Sequence, residues 1–219
     1  MASESTFIDY YLTTNSVSST MVYRSTLVAA LRDVRAITGR DLQSGKVVNE
    51  EKAGSWLGCI GYFLILDQIG TCLDRTDKKL EDNIWIRAEK GPRRNRSSIE
   101  RAILLFSTIS PTVAQYLYFL RCALTHDFSL VHTNNGKFYH FRLLSNRSSK
   151  LIDLPNSNYA GPGSERSEDN VTTINIGRVG NLVEGIYKKL ISLNKKECLK
   201  VRLRGGLDEL MQRYFMNIH

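Results

Sequence analysis

Residues 54–73 constrain the fold most, because they are apolar on nearly every side of a helix, with Trp56, Leu57, Ile60, Phe63, Leu64, Leu66 and Ile69. A helix without a polar face is packed on several sides, so the rest of the chain has to be arranged around it. Its uninterrupted apolar run is too short to cross a bilayer and stops at Asp67. Asp67 falls on the line of Ile60, Phe63 and Leu64 at helical spacing. Its carboxylate either turns inward, where it needs a cationic or hydrogen-bonding partner, or sits at the helix edge in water. Arg121 is a candidate partner.

The second organising stretch, 110–130, reads SPTVAQYLYFLRCALTHDFSL. Ser110 suits a cap and Pro111 the first helical position, where a missing N–H costs nothing. Val113, Leu117, Leu120 and Leu124 then form a core-facing stripe with Tyr116 beside it. The helix ends on Arg121, Cys122, His126 and Asp127, an Arg-x4-His arrangement. Cations near a helix C-terminus are favoured by the macrodipole, so this pair has a purely structural reading. It also has a chemical one. An imidazole titrates near neutrality and can move the proton of a ribose 2′-hydroxyl, while a guanidinium offers forked donors to charge building on a phosphate.

Around these two helices the pattern is mostly helical. A short helix or mobile arm is expected at 7–12, and a firm helix over 18–38 with Val22, Leu27, Leu31 and Val34 on one face and Gly39 as its stop. A polar link follows at 40–52. Another helix opens at Ser98, carrying Ile99, Ile103, Leu104 and Phe106. After the motif the period shortens to that of strands, and Asn134-Asn135-Gly136 reads as a hairpin turn. Residues 145–170 read as a long exposed loop, 171–176 as a strand able to join the hairpin, and 179–193 and 207–215 as two more helices. The expectation is a single mainly α domain over 1–219, an antiparallel helical bundle with a small β-hairpin insertion. Its core lies at about 18–130 and 177–193, with hairpin and loop over 128–176 and a C-terminal helix near 207–216.

Charge bears on partners. The chain carries a net charge of +8, which favours a polyanion, nucleic acid before membrane. Arg87, Lys90, Arg93, Arg94, Arg96 and Arg101 crowd a segment broken by Gly91 and Pro92. Such a run is either solvated surface or a set of phosphate contacts. The first twenty residues lack the basic start and apolar centre of a secretory signal, so a cytoplasmic location is expected. Cys59, Cys72, Cys122 and Cys198 are widely spaced and fit neither a zinc site nor a disulfide framework, leaving buried free thiols.

The context FLRCALTHDFSL, an apolar helix ending in Arg-x4-His that follows a very apolar helix and precedes a hairpin, resembles the HEPN superfamily of helical-bundle domains. The resemblance covers 103–130 best and 22–73 more faintly. It implies a metal-independent endoribonuclease with no cofactor, cutting single-stranded or loop RNA by 2′-hydroxyl transesterification, in a toxin or defence setting. By position, Arg121 would stabilise phosphate charge and His126 would be the acid and base. Asp67, Cys122 and Asp127 would support them, and Arg87, Lys90, Arg93, Arg94 and Arg96 would hold RNA. The family also implies a homodimer with the motif helices at its seam and a cognate inhibitor protein. Five residues on a regular helix are rotated by about 140°, which places Arg121 and His126 on different sides and favours a site shared between two chains. Cys122 stands where the family usually has a polar residue, and a thiol is only a weak donor. That supports the alternative of a non-catalytic HEPN-like module binding RNA, a nucleotide or a protein. If the basic segment holds RNA, neutral substitutions at Arg93, Arg94 and Arg96 are expected to weaken binding and flatten its dependence on salt in a titration series, one released counterion being lost per contact.

Overall fold

The computed structural model describes residues 3–13, 22–78, 96–126, 128–145 and 150–218. The apolar stretch forms α3 (Trp56–Cys72), capped by the Ser55 hydroxyl on the Gly58 amide. Helices α2 (Thr26–Ile37), α4 (Ser98–Phe106) and α6 (Ile176–Asn194) pack against it. Tyr62, Phe63, Ile65, Leu66 and Ile69 are buried in the resulting core. The approach of α4 is close: a Cβ on Gly70 would lie 1.8 Å from the Ser98 carbonyl oxygen, so only glycine lets the helices meet there. The packing is less complete than the apolar pattern predicts. Trp56, Leu57 and Leu64 stay exposed along one side of α3.

Helix α5 (Pro111–His126) begins where expected, with the Ser110 hydroxyl accepting from the Val113 amide at 3.4 Å. Leu117, Leu120 and Leu124 are fully buried. The hairpin follows directly as β3 (Val131–Asn134) and β4 (Lys137–Leu144), and Asn135 and Gly136 adopt φ of 49° and 73°. Both central residues being left-handed is the requirement of a two-residue hairpin turn. Phe119 of α5 packs on this hairpin, 4.4 Å from Tyr139 and 5.1 Å from His132 between ring centroids.

The architecture is helix-rich but mixed α/β, which corrects the simple antiparallel bundle with an appended hairpin. Strand β6 (Val171–Asn175) pairs in parallel with β4, and β5 (Ile152–Asp153) lies antiparallel on its far side, making a four-stranded sheet in the order β3-β4-β6-β5. The segment expected to be a long exposed loop is largely exposed in its described part, 150–170, but it supplies the short strand β5 and is anchored by Tyr159, buried against His140. Two further corrections concern the termini. Residues 22–25 begin no helix; they form β1 (Val22–Ser25), paired antiparallel with β8 (Phe215–Ile218) after α7 (Gly206–Tyr214). Helix α1 (Glu4–Thr13) is no mobile arm, since Ile8, Tyr11 and Leu12 are buried and the Tyr187 hydroxyl donates to the Leu12 carbonyl. The last pairing joins β2 (Leu73–Arg75) to β7 (Leu199–Val201).

The supposed polar link at 40–52 is anchored by a buried polar network. Arg35 makes a two-pronged ion pair with Glu184 of α6, at 2.9 Å from Nε and 2.7 Å from Nη2, and donates from Nη1 to the Leu42 and Gln43 carbonyls. Arg40 donates to the carbonyls of Gly45 and Gly177 and to Asn181. Breaking a buried pair strands a desolvated charge, so Glu184→Ala is expected to lower the unfolding free energy by about 3–5 kcal/mol in urea titrations. A loss under 1 kcal/mol would mean that water reaches Arg35.

Candidate functional site

Three helices position the motif. Gly70 locks α4 onto α3, α4 leads into α5, and the last turns of α5 then lie beside the second half of α3. Asp67 of α3 consequently meets Arg121 of α5, with Nη2 2.7 Å from the carboxylate. This decides between the two readings of Asp67: it turns toward a cation and is only 27% exposed. Arg121 Nη1 lies 3.4 Å from His126 Nε2 in the same chain. If Nη1 donates there, the ring carries its proton on Nδ1 and Nε2 is the acceptor.

The convergence within one chain corrects the expectation that the two side chains point apart. Rotation about the helix axis is only part of the geometry. Side chains on a helix tilt toward its N-terminus, so the ring of His126, the last residue of α5, leans back over the preceding turn, and the long arginine side chain closes the remaining gap. The geometric reason for a site shared between two chains is thereby removed. Thr125 contributes to the same turn by donating its hydroxyl to the Arg121 carbonyl at 2.8 Å.

The other expected residues divide. Cys122 is buried on the core side of α5. Arg96 is half-buried, and its Nε and Nη1 are shielded from solvent with no hydrogen bond, an environment unlike a solvated phosphate-gripping side chain. Arg87, Lys90, Arg93, Arg94 and Asp127 lie outside the described residues. Among the described residues no three His, Cys, Asp or Glu side chains gather where they can hold a metal ion, and no helix is long and apolar enough to cross a membrane. The cysteines are free, with Cys59, Cys72 and Cys122 buried and Cys198 half-buried.

Sequence reasoning passed over Phe128. It follows the motif with φ of 47°, a left-handed conformation that costs a residue with a Cβ roughly 1–2 kcal/mol, and its ring is 68% exposed. The next residue closes the helix end, the Ser129 amide donating to the Ala123 carbonyl at 3.0 Å. Nothing local in the sequence signals a positive φ at a phenylalanine.

No protein-family model, no curated protein and no solved structure matches the chain. The site is therefore read on its own chemistry.

Burial pushes the Asp67 carboxyl above its ordinary range, and the Arg121 guanidinium pulls it only partly back. Desolvation outweighs the attraction, a common outcome for a single ion pair taken out of water. The folded protein thus binds the Asp67 proton more tightly than the unfolded chain does. Stability from this group is fully present below the usual carboxylate pKa and is lost as pH rises through the folded value. For Asp67→Asn, neutral throughout, the melting temperature relative to the parent is expected to be more favourable at pH 7 than at pH 3. Thermal scans at both pH values test the sign, and the opposite trend would mean that the ion pair outweighs burial.

Proposed function

We propose that the protein is a metal-independent endoribonuclease of HEPN type, acting on single-stranded or loop RNA. The observation that supports this reading most is the approach of Arg121 Nη1 and His126 Nε2 to 3.4 Å at an accessible helix end, with Asp67 holding the guanidinium from behind. His126 Nε2 takes the proton of a ribose 2′-hydroxyl, and the freed oxygen attacks the adjacent phosphorus. Charge collects on the non-bridging oxygens, where Arg121 supplies fixed donors. The bond to the 5′-oxygen breaks, that oxygen takes the proton back from His126, directly or through water, and the products end in a 2′,3′-cyclic phosphate and a 5′-hydroxyl. Asp67 occupies Nη2, so Nη1 is the group that turns from His126 Nε2 to a phosphate oxygen when RNA binds, which frees Nε2 to accept the proton.

The same ion pair favours a second reading. In a non-catalytic module that binds RNA, a nucleotide or a protein, Arg121 is a tie between α3 and α5, and buried Cys122 adds no polar group to the site. The two readings separate by experiment. As a ribonuclease, the purified protein is expected to cut single-stranded RNA in EDTA, leaving cyclic phosphate ends. Arg121→Ala and His126→Ala should each lower the rate at least a hundredfold, the usual range for losing a proton-transfer group or a charge-stabilising donor. His126→Ala should leave the melting temperature nearly unchanged, because His126 is exposed. Mixing the two inactive variants should restore nothing, since one chain carries both groups. Cleavage abolished by chelation, products with 3′-hydroxyl ends, or full activity in His126→Ala would count against the reaction.

A further inference from the structure

The ring of Phe128 is unexplained by packing. It stands 68% exposed in a left-handed backbone conformation, where glycine or asparagine would sit with less strain and would cover no less core. Its place in the fold is specific. It lies two residues beyond His126, which contacts Arg121, and two residues span no more than about 7 Å of chain, so its backbone is close to that of His126. The residue after it is anchored, by the Ser129 amide on the Ala123 carbonyl and by the Ser129 hydroxyl, which accepts from the Val131 amide at 3.0 Å. A solvent-facing aromatic residue close in the chain to a cationic pair is the combination that holds single-stranded nucleic acid, the cation taking a phosphate and the ring a base face.

We infer that Phe128 is a stacking platform for an unpaired nucleobase of the RNA strand whose phosphate is held by Arg121. This deepens the ribonuclease reading and rests on it. The chemistry selects the occupant: an exposed ring two residues beyond an imidazole that contacts a guanidinium, on a chain of net charge +8, matches a nucleotide, which offers both an anion and an apolar face. Every base has such a face, so the contact favours unpaired over duplex RNA with little sequence preference. Phe128 is a positioning residue: by fixing the base it sets where the neighbouring 2′-hydroxyl stands relative to His126 Nε2.

The test uses the whole protein and a short single-stranded oligonucleotide, 2′-O-methylated to prevent cleavage, with 2-aminopurine moved along successive positions. The parent is expected to quench fluorescence strongly at one position. Phe128→Ala should abolish that quench and weaken binding about tenfold, whereas Phe128→Trp should preserve both. An abasic residue at the quenched position should weaken parent binding by the same factor and make it equal to that of Phe128→Ala, an arm that needs no variant to fold. With a cleavable strand, Phe128→Ala should still yield cyclic phosphate ends, with the loss mainly in KM. Tight binding and unaltered quenching in Phe128→Ala, with the parent cutting RNA, would overturn the inference and leave the ribonuclease reading standing. A parent that neither binds nor cuts RNA would overturn both. Dissociation of a parent dimer by Phe128→Ala, seen in sedimentation, would place the ring in a protein seam and also overturn it.

Discussion

Burial of α3 is the interaction on which the rest of the structure depends. Its buried side chains fill the space between α2, α4 and α6, and Gly70 lets α4 come close enough for backbone contact. Large-to-small changes in such a core cost about 2–5 kcal/mol each. The same packing fixes the direction in which α5 leaves α4. That direction decides whether Asp67 and Arg121 are 2.7 Å apart or unrelated.

The polar groups follow from the apolar ones. Arg35 and Glu184 are nearly solvent-free, and their pairing holds α6 against α2 and pins the 40–49 segment by main-chain contacts. Asp67 and Arg121 are less deeply placed, so their pairing keeps a guanidinium oriented while its outer edge stays within reach of solvent. A helix end that also carries an imidazole acceptor and a forced-open aromatic ring differs from ordinary C-terminal capping. Capping requires cations near free carbonyls, and it requires neither an acidic partner from another helix nor a strained phenylalanine.

The β structure shows where local pattern and fold part company. The hairpin was legible because Asn135 and Gly136 meet the turn's demand for positive φ within two residues. That 171–176 forms a strand able to join the hairpin was legible too, but its parallel direction on β4 was not, since a long connection of ordinary loop composition separates them. The pairing of β1 with β8 joins residues near opposite ends of the chain, and Val22 to Ser25 continue without a break into a true helical period, so the strand reads as the helix's first turn.

By itself the sequence determined that α3 is central, that α5 starts at Ser110–Pro111 and ends on Arg121 and His126, and that a hairpin follows, while it left open whether Asp67 meets a partner or water. Each of these rests on composition, caps or turn residues within a few positions, and such local energetics are carried by the residues themselves. Only the tertiary structure decided that the partner is Arg121, that Arg121 and His126 meet within one chain, that the long connection is anchored through β5 and Tyr159, and that Phe128 is open to solvent. Those outcomes depend on how helices cross and on which distant strands pair, and a contact between residues far apart in sequence leaves no periodic trace in either segment.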